Sequence, residues 1–166
     1  MARFQPSWTP DACIGSASWV ENSIDLKDQE NEMKFLVCYD NSGLSQDVVR
    51  EAQKHARVWN AELRIVKAVK REDPIRHARL LEMEEQLESE IQQLFVGLDI
   101  PYNVQLLIDD IDIGKKIVDL ADAKRVDLIF LGIKKHSKVG KLLFGSTAQH
   151  IILHSYCPVV TMNQNP

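Results

Sequence analysis

Cysteine is scarce in this sequence, and its few cysteines form no recognisable disulfide or metal pattern. Cys13, Cys38 and Cys157 are odd in number and widely spaced, and no two of them form a CxxC pair. Disulfide frameworks and cysteine zinc sites both depend on such pairs at short, regular spacing. We therefore expect a cytoplasmic protein with reduced thiols, in which Cys38 and Cys157 are core side chains of apolar strands.

Long apolar runs and an excess of positive charge are missing as well. No run of about 18 apolar residues is available for a membrane span, and the N-terminal region lacks the apolar core of a secretory signal. The 24 acidic residues outnumber the 20 lysines and arginines, which gives a formal net charge of −4. Because proteins that bind a nucleic-acid backbone usually carry a broad basic face, we expect neither a nucleic-acid nor a membrane partner.

Residues 1–32 have no sustained hydrophobic period. They combine prolines and serines with the isolated Trp8 and Trp19, and they become acidic from Glu21 onward. Such a segment offers little apolar surface to bury, so we expect a poorly ordered extension over 1–32. The remainder, 33–166, has the length of one globular domain.

From Lys34 onward, short apolar runs alternate with helical patterns, as in βαβ units around a parallel sheet. Strands are predicted at 35–39, 63–69, 102–108, 126–131 and 159–161, and helices begin at Ser42 or Ser45, at Asp73, at Asp112 and at Ser146. The first helix is expected to bury Val48, Ala52, Ala56 and Trp59. Short right-handed crossovers favour a three-layer α/β sandwich with a five-stranded parallel sheet in the order 3-2-1-4-5. The order 2-1-3-4-5 is the alternative.

The segment from Gly132 to Thr147 is the clearest candidate for a binding site. It joins the predicted fourth strand to the last helix, and Gly145, Ser146 and Thr147 stand where that helix begins. Backbone amides at a helix N-terminus bind anions, and glycine lets a ligand come close to the backbone. An ordinary solvated loop before a helix is the alternative interpretation. Four lysines make this loop basic within an acidic protein: Lys134, Lys135, Lys138 and Lys141.

Asp40 ends the predicted first strand and is the second candidate. Ligands of open α/β sheets bind beyond the carboxyl ends of the strands, where the strand order reverses. In the order 3-2-1-4-5, Asp40 would therefore face Gly132 across one crevice, although its Asp-Asn-Ser-Gly context also favours a simple turn. In the order 2-1-3-4-5 it would lie beside Asp109 and Asp110, as in a receiver domain that accepts a phosphoryl group with Mg²⁺. That alternative lacks a second acid next to Asp40 and a lysine at the end of the fifth strand.

Two more specific phosphate-binding motifs are not present in the sequence. A P-loop around the Gly-Lys pair at 140–141 would need a glycine and a Ser or Thr where Lys135 and Leu142 stand, and no GxGxxG occurs. His150 and His154 have the spacing of a metal-binding pair, but their context favours an exposed polar stripe on the last helix. We assign no catalytic and no metal-binding residue.

The stretch from Lys34 to Met162 resembles the universal stress protein family. KFLVCYDNSGLSQDVVREAQKHA is similar to the family's first strand, Asp-x-Ser turn and first helix, and VDLIFLG is similar to its fourth strand. ATP-binding members carry Gly, two residues, Gly, nine residues and then Gly-Ser or Gly-Thr. Here Gly132 and the Gly145-Ser146 pair match this motif, whereas Lys135 stands where the family has its second glycine.

This resemblance implies an adenine nucleotide alpha hydrolase-like fold that binds ATP, or AMP or ADP, with Mg²⁺ on the phosphates. It also implies a homodimer formed through the last strand. We expect a stress-response protein that acts as a binding or regulatory module with little or no ATPase activity. A family-like dimeric interaction module that binds no nucleotide is the alternative. The binding residues that the resemblance implies are Asp40 at the adenosine, the Ala68 backbone at the adenine, and Gly132, Gly145, Ser146 and Thr147 along the ribose and phosphates. Lys134 and Lys135 join this candidate site because the loop is basic, as a polyanionic ligand requires.

Overall fold

The computed structural model describes residues 33–70, 77–109, 112–134 and 145–163. Several predicted features lie outside these ranges and are not tested by the structure: the extension over 1–32, the helix start at Asp73, the side chain of Asp110 and the basic loop from Lys135 to Phe144. The helices and strands follow one another as β1 (Lys34–Tyr39), α1 (Gly43–Trp59), β2 (Glu62–Lys70), α2 (His77–Phe95), β3 (Tyr102–Asp109), α3 (Ile113–Ala123), β4 (Leu128–Ile133), α4 (Ser146–His154) and β5 (Val159–Asn163).

The strands form a single parallel sheet in the order β3-β2-β1-β4-β5, which confirms the predicted order. Leu36 of β1 is aligned with Arg64 of β2 on one side and with Ile129 of β4 on the other. The alternative order is wrong, because β2 separates β1 from β3 and keeps Asp40 away from the end of β3. The strand order reverses between β1 and β4, and a crevice opens at their carboxyl ends.

Helices cover both faces of the sheet. Phe35 and Val37 of β1 belong to a core cluster with residues of α1 and α2, whereas Leu36 belongs to a second cluster with residues of α3 and α4. This arrangement buries β1 on both faces, as its nearly continuous apolar run predicts. None of the helices in the described ranges is long and apolar enough to cross a membrane.

Side-chain caps fix where the helices begin. Ser42 accepts a hydrogen bond from the Ser45 amide at 3.2 Å, and Asp112 accepts one from the Lys115 amide at 3.0 Å. These contacts select Ser42 over Ser45 as the cap of α1 and confirm Asp112 as the cap of α3.

Trp59 and the start of β4 differ from the sequence prediction. Trp59 is 56% exposed, because α1 ends at a left-handed Asn60 and its buried side chains stop at Ala56. β4 begins at Leu128 rather than at Val126. The Val126 amide bonds to the Ala121 carbonyl at 2.9 Å, so Val126 closes the turn after α3 while its side chain fills the core.

Candidate binding site at the reversal of the strand order

A cavity of about 270 Å³ opens where the strand order reverses. Its volume lies near the lower end of the roughly 300–1,000 Å³ that is typical of small-molecule sites. Residues from β1, β2 and β4 line it together with the first turns of α1, α3 and α4. Most of the residues predicted as a site meet in this cavity: Asp40, Ala68, Gly132, Lys134, Gly145 and Thr147. Ser146 is exposed at the first position of α4 and is not among the lining residues.

Asp40 is both a turn residue and a charged wall of the cavity. Its Oδ1 accepts hydrogen bonds from the amide and the hydroxyl of Ser42, and its Oδ2 accepts one from Lys134 Nζ at 2.7 Å. Partial burial alone would raise the pKa of Asp40, but the hydrogen bonds from Lys134 and Ser42 outweigh it and lower the pKa to about 2. Asp40 is therefore an oriented carboxylate at neutral pH.

The contact between Asp40 and Lys134 spans the crevice from β1 to the end of β4. Both side chains remain accessible, with 54% of Asp40 and 45% of Lys134 exposed. Exposed ion pairs contribute little to stability, so a ligand can exchange either partner at a small energetic cost.

The N-terminus of α4 opens onto the same cavity. Gly145 is the N-cap, in an extended conformation, and as a glycine it supplies no side-chain cap to the amides of the first turn. Thr147 and Ala148 of that turn line the cavity. Among the described residues, a Cβ added to Gly145 would meet nothing within 4 Å. Such a helix end can bind an anion.

An apolar wall completes the cavity, and the sequence-based prediction missed it. It consists of Val66, Ile113, Ile117, Leu131 and Ala148. The spacing of Ile113 and Ile117 indicates one face of a helix but does not say whether that face meets the core or a cavity. Only the packing of α3 over the sheet shows that it also faces a cavity. An apolar wall beside a few oriented polar groups is typical of ligand sites.

The residues matched by a family model decide what kind of protein this is. The model of the universal stress protein family matches residues 33–162, which include every described helix and strand except the last residue of β5. This chain belongs to the universal stress protein family. A comparison with curated protein sequences gives no significant match.

Solved universal stress proteins have the same fold. One from Archaeoglobus fulgidus is 26% identical, with a TM-score of 0.64 over 78% of this chain and 92% of that chain. The Archaeoglobus fulgidus protein in complex with dAMP is 23% identical, with a TM-score of 0.61 over 78% and 96%. A universal stress protein in complex with cAMP is 20% identical, with a TM-score of 0.62 over 80% and 97%. At these identities, the last two comparisons show the fold alone.

Gly132 of this universal stress protein has a reason of its own to be glycine. A Cβ at this position would lie 3.0 Å from Leu44 Cγ and 3.1 Å from Leu44 Cδ2. The sequence prediction attributed Gly132 to the close approach of a ligand. The structure shows that the packing of α1 on β4 leaves little room for a side chain here, at a position that also lines the cavity.

The sequence also singled out two cysteines and two histidines with reactive or metal-binding potential: Cys38, Cys157, His150 and His154. Cys157 is a partly buried free thiol, and burial raises its pKa. Cys38 lines the cavity, and burial raises its pKa to about 12, so it is a neutral thiol as predicted. The rings of His150 and His154 stack at 4.2 Å. In the part of the chain that the structure describes, no group of three His, Cys, Asp or Glu side chains is arranged to hold a metal ion.

Proposed function

We propose that this protein binds an adenine nucleotide in the cavity and acts as a binding or regulatory module of the stress response. ATP with Mg²⁺ is the first candidate, and AMP and ADP are the others. The main observation in support is that an oriented carboxylate, an apolar wall and a helix N-terminus converge on one cavity at the strand-order reversal. The relatives solved with dAMP and with cAMP support the same class of ligand.

The charges in the cavity favour one orientation of the nucleotide. The Asp40 carboxylate accepts hydrogen bonds and repels anions, so it suits ribose hydroxyls rather than phosphates. The N-terminus of α4 at Gly145 suits the phosphates. The apolar wall, with Val66 and Ala68 of β2, is left for the adenine.

Lys134 has a second role in this proposal. Its ammonium group pairs with Asp40 at 2.7 Å, and both partners are accessible. We expect the lysine to exchange this carboxylate for a phosphate when the nucleotide binds, which would free Asp40 for the ribose. Mg²⁺, when present, would neutralise charge on the phosphates.

Calorimetry with Mg-ATP on the wild type and on Gly145→Val tests the proposal. The added side chain meets none of the described residues within 4 Å, so the variant is expected to fold, and it fills the space that the phosphates need. We expect binding to the wild type and none to the variant. Gly43→Val is the matched control, because a Cβ at Gly43 also meets nothing within 4 Å and Gly43 does not line the cavity.

Two results would contradict the proposal. Undiminished binding to Gly145→Val would place the site elsewhere. No binding to the wild type would favour the interaction module without nucleotide, and Lys135, in place of the second glycine of the family motif, is the sequence feature that favours this second candidate.

We also expect little or no ATP hydrolysis. Among the described residues that line the cavity, Asp40 is the one carboxylate, and the proposed orientation commits it to the ribose. It is then not available to position a water against the terminal phosphate. Phosphate release should be slower than about one turnover per second, the lower end for dedicated phosphoryl-transfer enzymes.

A further inference from the structure

Within the described residues, the outer edge of β3 carries backbone groups that pair with no other strand. In the described part of the chain, β3 pairs with β2 alone. The Leu63 amide of β2 donates to the Pro101 carbonyl at 2.9 Å. This hydrogen bond shows which residues of β3 direct their backbone groups toward β2. Because the direction of the backbone groups alternates along a strand, the amides and carbonyls of Tyr102, Val104, Leu106 and Ile108 point away from β2. An extended peptide can pair with such an edge.

A groove between this edge and α2 offers a place for the side chains of an added strand. It has a volume of about 350 Å³ and is lined by Glu84, Leu87 and Glu88 of α2 and by Val104, Gln105 and Leu106 of β3. Val104 and Leu106 are partly exposed apolar side chains, Leu87 is fully buried, and Glu84 and Glu88 are exposed carboxylates. This surface is complementary to lysine and arginine, because their aliphatic stems pack on apolar surface while their charged ends pair with carboxylates.

The spacing of the two carboxylates matches that of a strand. Glu84 and Glu88 lie four residues apart on α2, or about 6 Å along the helix axis. Alternate residues of an extended chain share one face and lie about 6.6 Å apart. Arg79 of the same helix pairs with Glu82 at 3.0 Å and does not line the groove. Two cations at alternate positions of an added strand therefore fit Glu84 and Glu88.

We propose that the β3 edge and α2 form a docking site for an extended segment of a partner protein, with lysine or arginine at two alternate positions. The partner's backbone would pair with Val104 and Leu106, and its cations would pair with Glu84 and Glu88. This proposal does not depend on the nucleotide proposal, because none of the groove residues lines the nucleotide cavity.

Charge complementarity favours a basic partner over occupants from this protein itself. A second copy pairing through β3 would offer the sequence YNVQLLID, which has no cation, and would bring another set of α2 glutamates alongside. The segment 21–32 before β1 has one cation, Lys27, against five acids. Neither would neutralise Glu84 and Glu88, whereas a dibasic strand would.

An NMR experiment on the full chain tests the proposal. The probe is the blocked peptide Thr-Val-Lys-Val-Lys-Val-Thr, and the control peptide is Thr-Val-Lys-Lys-Val-Val-Thr, whose adjacent lysines point to opposite faces of a strand. In the free protein, we expect fast hydrogen exchange at the amides of Val104 and Leu106 and slow exchange at Gln105. The probe should slow the exchange of Val104 and Leu106, and it should bind more tightly than the control peptide.

Charge variants provide the second measurement. At low salt, the double variant Glu84→Gln and Glu88→Gln should bind the probe about five- to tenfold more weakly, as expected for the loss of two exposed ion pairs. Glu85→Gln, on the same helix but outside the groove, should bind it like the wild type. Equal affinities of the double variant and the wild type would overturn the proposal. Slow exchange of Val104 and Leu106 in the free protein would also overturn it, because the edge would then already be occupied.

Discussion

Among single residues, Asp40 carries the charge that matters most to the site. Its pKa of about 2, against an ordinary 3.8, means that its contacts with Lys134 and Ser42 stabilise the folded state at pH values above about 4. This stabilisation is lost as the pH falls through about 2, because the folded protein then binds the proton as well. Since both Asp40 and Lys134 are about half exposed, the ion pair contributes less than about 1 kcal/mol.

A titration of the Asp40 carboxyl carbon by NMR checks this assignment. We expect a midpoint near pH 2 in the wild type and a shift toward the ordinary value in Lys134→Met, which removes the ammonium group and keeps the stem. Arg50→Met is the matched control, because it removes a cation that pairs with Asp47 at 2.7 Å rather than with Asp40, and it should leave the Asp40 midpoint unchanged. An ordinary midpoint for Asp40 in the wild type would refute the pairing.

Gly132 and Gly145 line the same cavity but should respond differently to a methyl group. Gly132→Ala forces a Cβ to within 3.0 Å of Leu44, and such overpacking costs about 1–3 kcal/mol of unfolding free energy. The melting temperature should fall by roughly 3–10 °C. Gly145→Ala enters open space and should leave the melting temperature nearly unchanged. Equal effects of the two substitutions in thermal unfolding without nucleotide would show that the packing at Gly132 is not tight.

At the scale of strands and helices, the alternation of apolar runs with helical patterns predicted every described element, and the preference for short right-handed crossovers predicted the order of the strands. The prediction was wrong for two apolar residues that do not belong to the buried face of the strand or helix in which their spacing placed them. Val126 looked like the start of a strand but closes the turn after α3, and Trp59 kept the helical spacing but lies past the end of the buried stripe. The candidate site was predicted from its polar residues. Ile113 and Ile117 were not predicted as site residues, because a helix face that packs on the core and one that lines a cavity have the same sequence pattern.

The contact between α3 and α4 holds two walls of the cavity together. A Cβ on Gly114 of α3 would lie 2.7 Å from His150 Cβ and 3.2 Å from the Thr147 carbonyl oxygen of α4. Gly114→Ala should therefore push the two helices apart, lower the unfolding free energy by about 1–3 kcal/mol and weaken nucleotide binding. Chemical denaturation and calorimetry measure the two effects. Gly43→Ala is the control, because a Cβ at Gly43 meets none of the described residues within 4 Å. Equally small effects of Gly114→Ala and Gly43→Ala would contradict the role of Gly114.

At the scale of the whole molecule, the sheet has two edges, and we expect different partners for them. β5 forms the edge opposite to β3, and its sequence VVTMN is short and has no charge to discourage pairing. We therefore predict a homodimer through antiparallel pairing of β5 with its copy, as the family resemblance implies. Self-pairing is more favourable at β5 than at β3, because pairing through β3 would bring the α2 glutamates of the two copies close together.

A proline at Thr161 tests the dimer without disturbing the core. The Ile129 amide donates to the Pro158 carbonyl, so the alternation of the ladder points the Thr161 amide away from β4, and the side chain is exposed. Thr161→Pro removes an edge donor and should give a monomer in light scattering, whereas Thr161→Val should remain a dimer. A monomeric wild type, or a dimer that tolerates the proline, would defeat the prediction. Val160 is less suitable for substitution, because it packs against the first core cluster.

The most direct test of the central claim is a site-resolved NMR titration of the full chain with Mg-ATP. We predict that the amide signals of Asp40, Ala68, Gly132, Gly145 and Thr147 shift together as the nucleotide binds, while those of Val104 and Leu106 on the edge strand β3 do not. No shift at millimolar ATP, or shifts confined to residues outside the cavity, would contradict the account of this cavity as an adenine nucleotide site.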